Sequence, residues 1–203
     1  MIERDAVEYT LFRDRWDLRP QQAEGTWFSF SDMFRVPRRT PCSVADCRHR
    51  GCAHKDGPAW SPAIYPSEVL RLRCHVEAVA LFVVDLDHLT DEQLATAAVR
   101  FAPFRRIVHS THSDRRSDRC ARAIVALSRS VMPDEWSAFW RAATSLFEHS
   151  ADLACRDIGR IYYLPSCSSD AENYHFEAHD GLLLDVDTLL VTAPTMHERE
   201  IAQ

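Results

Sequence analysis

Lysine is almost missing from this 203-residue chain: Lys55 is the sole lysine among 24 Lys and Arg residues. An arginine-dominated basic set suits bidentate contacts to phosphate and carboxylate, although high-GC codon usage produces the same bias. Long apolar runs are missing too. No segment reaches the roughly 20 apolar residues of a membrane-spanning helix, and Met1-Ile2-Glu3-Arg4-Asp5 is charged where a signal peptide is apolar. A soluble, cytoplasmic protein with no membrane partner is expected. The cysteines number 7, an odd and unevenly spread set that argues against a secreted disulfide framework. There is no excess of positive charge. The net charge of −6 does not mark a nucleic-acid binder, but a local basic stripe matters more than the sum. Internal repeats and low-complexity segments are absent.

What is present is enough apolar material for a sizeable core: 46% hydrophobic residues, with 10 Phe and 5 Trp. The length fits one ordinary domain or two very small ones. The chain is organised around Leu81-Phe82-Val83-Val84-Asp85-Leu86-Asp87. Ala80 through Val84 read as a buried strand. Asp85 and Asp87, two residues apart, point to one face of it, with Cα atoms roughly 6.5–7 Å apart. Two carboxylates so placed repel unless a cation or a shared proton lies between them.

Before this strand, Thr26-Trp27-Phe28-Ser29-Phe30 has strand character. Arg35, Arg38 and Arg39 cluster around Pro37, either to meet template or primer phosphates or as a solvated loop. Cys42, Cys47, Cys52, His49 and His54 fall within thirteen residues, a density that in a reducing compartment points to metal. A tetrahedral structural zinc site would draw on Cys42, Cys47, Cys52 and either His49 or His54. Gly57–Ala63 is a turn-rich break between this N-terminal part and the rest.

After the paired aspartates, Thr90-Asp91-Glu92-Gln93 is a capping box, and Leu94, Ala97, Ala98 and Phe101 continue at helical spacing until Pro103. Arg106–Ser110 reads as a short strand that delivers Ser110-Thr111-His112. Arg122–Arg129 reads as another strand, with arginine at both ends. Pro133, Asp134 and Glu135 open a helix whose apolar face is Trp136, Phe139, Trp140, Ala143 and Phe147. Tyr174–Ala178 is expected as a strand, and the second aspartate pair, Asp185 and Asp187, as a helix or turn boundary.

Taken in order, the set is an acidic pair (Asp85, Asp87), Ser110-x-His112, the Arg122–Arg129 strand, Asp152 after an apolar residue, and Asp157-Ile-Gly-Arg160-Ile-Tyr-Tyr-Leu-Pro165-Ser. This order and spacing, over about residues 60–190, resembles the archaeo-eukaryotic primase superfamily, in particular the primase-polymerase domains of plasmids, phages and other bacterial mobile elements. The resemblance implies an α+β fold: a mixed sheet with an RRM-like catalytic half, packed with a smaller N-terminal α/β portion. It implies one catalytic domain over 1–203, with an N-terminal portion at 1–60 (the zinc element at 42–54), a core at 61–190 and a tail at 191–203. Some relatives carry a zinc element near the catalytic module. Many fuse the domain to a helicase, so a separate helicase is an expected partner.

The chemistry agrees with the residue types. Two-metal nucleotidyl transfer needs hard oxygen ligands for Mg²⁺ or Mn²⁺, supplied by Asp85, Asp87 and Asp152, the last from a neighbouring strand. Asp157 is the alternative third carboxylate, but the eight-residue spacing to Arg160 and the preceding Ala151 favour Asp152. By family likeness Ser110 and His112 hold the incoming triphosphate, with Arg122 and Arg160 as further phosphate contacts. The expected function is template-dependent priming and polymerisation from NTPs or dNTPs on single-stranded DNA or a primer-template. The rivals are a metal-dependent nuclease built on Asp85, Asp87 and His112, and a non-catalytic nucleic-acid- or nucleotide-binding module.

Overall fold

The computed structural model describes residues 5–47, 51–147, 152–172 and 174–192. The apolar run before Asp85 forms the middle of β6 (Ala78–Leu89). β6 lies in a five-stranded antiparallel sheet whose order is β11 (Phe176–His179), β7 (Arg106–Ser110), β8 (Arg119–Val131), β6 and β5 (Ala63–Ile64). A second sheet is ordered β2 (Gln21–Thr26), β1 (Ala6–Phe12), β4 (Ala59–Ser61) and β9 (Tyr162–Tyr163). Parallel pairing joins β3 (Arg38–Thr40) to β10 (Ser166–Ser168). The fold is α+β.

Strand periodicity assigns the two faces of the large sheet. Phe82, Val84 and Leu86 of β6, with Val108, Ala123 and Val125, pack against helices α2 (Asp91–Phe101) and α3 (Trp136–Leu146). Phe147, just past α3, stacks on Phe101 at 4.2 Å and on Phe82 at 5.8 Å between ring centroids. Leu81 and Val83, with Ile107, Ile124 and Ala126, belong to the other layer, filled by Val7, Tyr9, Phe30, Phe34 and Trp60 from the N-terminal part.

The expected capping box closes α2: Thr90 Oγ1 accepts from Gln93 N at 3.1 Å, and Gln93 Oε1 accepts from Thr90 N at 2.8 Å. Asp185 accepts from Thr188 N at 3.0 Å at the start of α4 (Val186–Thr192), the boundary role read for the second aspartate pair. One element differs. The segment expected to be extended at Thr26–Phe30 turns helical at Trp27 as α1 (Trp27–Asp32). Thr26 caps it by accepting from Ser29 N at 3.1 Å. Trp27 and Phe30 then share one helical face, and Phe34, just past the helix, meets Phe30 with rings 5.1 Å apart. Gly25 permits this turn, because a Cβ there would lie 2.6 Å from Ser29 Oγ.

Candidate active site

The apolar layer between the two sheets runs out at one end of β6, and the residues that continue its pattern there are polar. Asp85 and Asp87 carry on the face of Leu81 and Val83; Arg122 carries on that of Ile124 and Ala126; His109 that of Ile107. Register lines three of them up across the sheet, with His109 opposite Arg122 and Arg122 opposite Asp85. Together with Asp152, Arg160, Lys55 and the stretch to Ser166, they line a cleft of about 310 Å³. Just beyond Asp87 the β6–β8 register shifts, and His88 adopts φ 60°. Such a bulge re-aims the strand end.

Arg122 and Asp85 form a forked pair: Nε donates to Oδ1 at 2.6 Å and Nη2 to Oδ2 at 3.2 Å, while Nη1 reaches the Tyr163 carbonyl at 3.1 Å. The guanidinium also lies over the Tyr162 ring, 4.5 Å from its centroid. Burial opposes the charge on Arg122, but Asp85 outweighs it and the pKa is raised. Burial likewise drives the Tyr162 hydroxyl well above its ordinary value, followed by the influence of Cys155 and Asp85.

Of the two candidates for the third carboxylate, the cleft takes Asp152. It sits at the start of a 3₁₀ turn (Leu153–Arg156), not on a neighbouring strand as expected. Its N–H donates to the Asp85 carbonyl at 3.1 Å, and its Oδ1 accepts from Ala154 N at 3.0 Å. Asp157 instead pairs with Arg73 at 3.2 Å. Arg160 lines the cleft with a buried Nε that has no hydrogen-bond partner.

The S-x-H residues are placed differently from expectation. Ser110 is buried away from the cleft: its Oγ donates to Asp114 Oδ2 at 2.9 Å and accepts from His175 N at 3.1 Å. His112 reaches the cleft wall, but both ring nitrogens face protein partners. Nδ1 meets Ser166 Oγ at 3.0 Å, and Nε2 meets Cys47 Sγ at 3.4 Å and Cys42 Sγ at 3.7 Å. Burial, then the charges of Arg115, Lys55 and Arg38, lower its pKa to about 4. His54, expected among the zinc ligands, is exposed and outside this cluster, and His49 lies outside the described residues.

His109 is the residue that the motif missed. Its Nδ1 bonds the Ser110 carbonyl at 2.9 Å, which leaves Nε2 as an acceptor, buried and unpartnered, at the cleft wall. Burial and then Arg122 lower its pKa to about 3, so the ring is neutral. The alternation of β7 carried that signal: His109 shares the face of Ile107, whereas the S-x-H pattern selects the later histidine.

Both N-terminal arginines beside Pro37 on β3 are tied to backbone carbonyls. Arg38 donates to the carbonyls of His54 and Asp56 at 3.1 and 2.9 Å, and Arg39 to that of Ala171 at 2.5 Å. Arg35 pairs with Asp32 at 2.9 Å. A larger, open groove of about 860 Å³ runs past Arg115, Arg116 and Arg119. Its charge is internally balanced, since Arg119 bonds Asp114 and Asp91 at 2.9 and 2.6 Å and Arg116 faces Glu172 at 3.6 Å. The smaller cleft therefore holds the candidate chemistry.

Residues 68–199 match the VapE N-terminal domain family. The chain belongs to that family. The match takes in Asp85, Asp87, Arg122, Asp152 and Arg160 but starts after the cysteine segment and Lys55. Among solved structures, the chain is similar to the AEP domain of the cyanophage S-2L primase-polymerase (PrimPol), with a TM-score of 0.53 and 12% sequence identity. The superposition covers 93% of this chain and 90% of that one, and it shows the shared fold. No curated protein matches the sequence. Among the described residues no helix is long and apolar enough to cross a membrane.

Proposed function

We propose that this chain is a template-dependent nucleotidyltransferase, a DNA/RNA primase with DNA polymerase activity, working as a single catalytic domain. The observation that carries this reading is the content of the cleft: Asp85, Asp87 and Asp152 share it with Lys55, Arg122 and Arg160. A hydrolytic nuclease needs the acidic half of that set, whereas a polyanionic nucleoside triphosphate accounts for both halves.

The acidic donors are hard oxygens and fit Mg²⁺ or Mn²⁺. Their oxygens do not close to the mutual 4.8 Å that marks the tightest ligand groups among the described residues. In this structure Arg122 supplies the positive charge against Asp85. Asp85, Asp87 and Asp152 would hold the ions, which when bound supply activation of the attacking hydroxyl and charge neutralisation at the leaving pyrophosphate. Arg122, Arg160 and Lys55 then hold the phosphate oxygens of an NTP or dNTP. The Tyr162 ring, 4.5 Å from Arg122, covers one face of the guanidinium and excludes water from that side. The template would be single-stranded DNA, exposed by a helicase acting in trans.

The test is primer synthesis on unprimed single-stranded DNA with Mg²⁺ or Mn²⁺ and labelled NTPs or dNTPs, beside extension of a primed template. Wild type is expected to make products, and Asp87→Ala to reduce them by at least about two orders of magnitude, given the several kcal/mol a metal site supplies. Degradation of the DNA without pyrophosphate release would turn the reading to a nuclease. Nucleotide binding without turnover in either assay would turn it to a binding module.

A further inference from the structure

Three cysteines distant from His112 in sequence converge on it in space. Cys42 follows β3, Cys47 and Cys52 follow in the next loop, and His112 stands two residues beyond the end of β7. All four are buried, with exposures of 9%, 6%, 6% and 7%. One donor atom from each lies within 4.8 Å of all the others. The thiols are free.

The separations carry more than proximity. Zn–S bonds of about 2.3 Å and Zn–N bonds of about 2.0 Å put the donor atoms of a tetrahedral site about 3.5–3.8 Å apart. Cys42 and Cys52 sulfurs are 3.8 Å apart; Nε2 of His112 is 3.7 Å from Cys42 and 3.4 Å from Cys47. These three separations match edges of a zinc tetrahedron, the other three stay within 4.8 Å, and the sulfur–sulfur distance is far longer than a disulfide bond. The surroundings match as well. His112 turns Nδ1 to Ser166 Oγ at 3.0 Å, a hydroxyl able to accept the Nδ1 proton and so to support the tautomer in which Nε2 ligates. Hydroxyls of Thr40 and Ser168 approach Cys42 Sγ at 3.2 and 3.7 Å, as expected around a metal-bound thiolate. Arg115, Lys55 and Arg38 act electrostatically on the same ring, and they offset the excess negative charge that three thiolates leave around a dication.

We propose that Cys42, Cys47, Cys52 and His112 form a closed structural Zn²⁺ site, with the histidine of the S-x-H motif, and not His54, as the fourth ligand. Four protein ligands leave no position open for chemistry. The site acts as a clamp. It ties the loop that leads to Lys55 onto the end of β7 and, through Ser166, onto β10, so two walls of the cleft are set by one ion. With Nε2 on zinc and Nδ1 on Ser166, no ring nitrogen of His112 remains for a triphosphate. The assignment is independent of the reaction proposed for the cleft.

The test uses the full chain purified under reducing conditions. Zinc content by elemental mass spectrometry is expected to be one ion per chain. His54→Ala should retain it, His112→Ala and Cys47→Ser should lose it, and Ser166→Ala should weaken binding about 10–100-fold in chelator competition. Cobalt exchanged into the wild type should show the visible bands of a tetrahedral three-thiolate, one-imidazole site. His112→Cys guards against simple misfolding, because it preserves four ligands and should move the cobalt spectrum to that of a four-thiolate site. Absence of zinc in the wild type, loss of zinc in His54→Ala, or an unchanged cobalt spectrum in His112→Cys would overturn the assignment.

Discussion

Arg122 and Asp85 hold each other through two hydrogen bonds in a setting where neither charge can be left alone. Their side chains are 11% and 8% exposed, so the pair is a buried ion pair whose halves depend on each other. Arg122→Ala should therefore destabilise the fold by about 3–5 kcal/mol in urea denaturation, because it strands the carboxylate. The double variant Arg122→Met/Asp85→Leu should recover most of that loss. Arg122→Lys keeps the charge and removes the fork, so nucleotide KM should rise, with a smaller loss of stability than Arg122→Ala. At this scale much of the site was legible. Asp85, Asp87, Asp152, Arg122 and Arg160 all stand in one cleft because strand alternation and short spacings are local properties of a sequence. The fate of His112 was not legible. Its partners are Cys42 and Cys47, 70 and 65 residues away, and no local pattern records that approach.

Helices and strands followed their periodicity where one face is buried against one layer. β6, α2, β7, β8 and α3 all appear where the apolar repeat places them. Replacing Thr90 by Ala removes the cap of α2 and should lower stability by about 1 kcal/mol, read as a shift of the denaturation midpoint. Phe82→Ala, which empties a fully buried position beneath Phe139 and Phe147, should lower it by about 3–5 kcal/mol. α1 broke the pattern because a run of Trp, Phe and Phe has strong strand propensity in isolation. Tertiary packing decided it: Phe30 meets Tyr9, Phe34 and Trp60 within 5.3 Å, contacts that only the helical spacing delivers together.

Over the whole molecule, several groups titrate in the same direction. Backbone N–H groups of Arg13 and Arg19 lower the Asp17 pKa to about 2, and the Arg129 hydrogen bonds lower that of Glu135 to about 2. A depressed carboxylate stabilises the fold above its ordinary pKa and loses that contribution as pH falls through the folded value. Buried His109, lowered to about 3, adds to the same side, since the unfolded chain takes up its proton from its ordinary value of 6.5 downward. Urea midpoints should thus decline below about pH 6.5 and fall more steeply between about pH 4 and 2, with no comparable loss between pH 7 and 8. The portions of the chain are also stitched together, which composition could not reveal. β9 joins the N-terminal sheet through β4, and β10 pairs with β3. Residues 61–190 expressed alone should accordingly fail to give a cooperative unfolding transition, because Phe30, Phe34 and Trp60 leave with the N-terminal part. That stitching also sets a timetable during synthesis. β1 can pair with β2 and then β4 as soon as they leave the ribosome, but the partner of β3 and the second partner of β4 are made about a hundred residues or more later. The nascent chain must carry three reduced thiols until His112 emerges and an unfinished cleft wall until Ser166 does, so the candidate cleft is assembled late in synthesis.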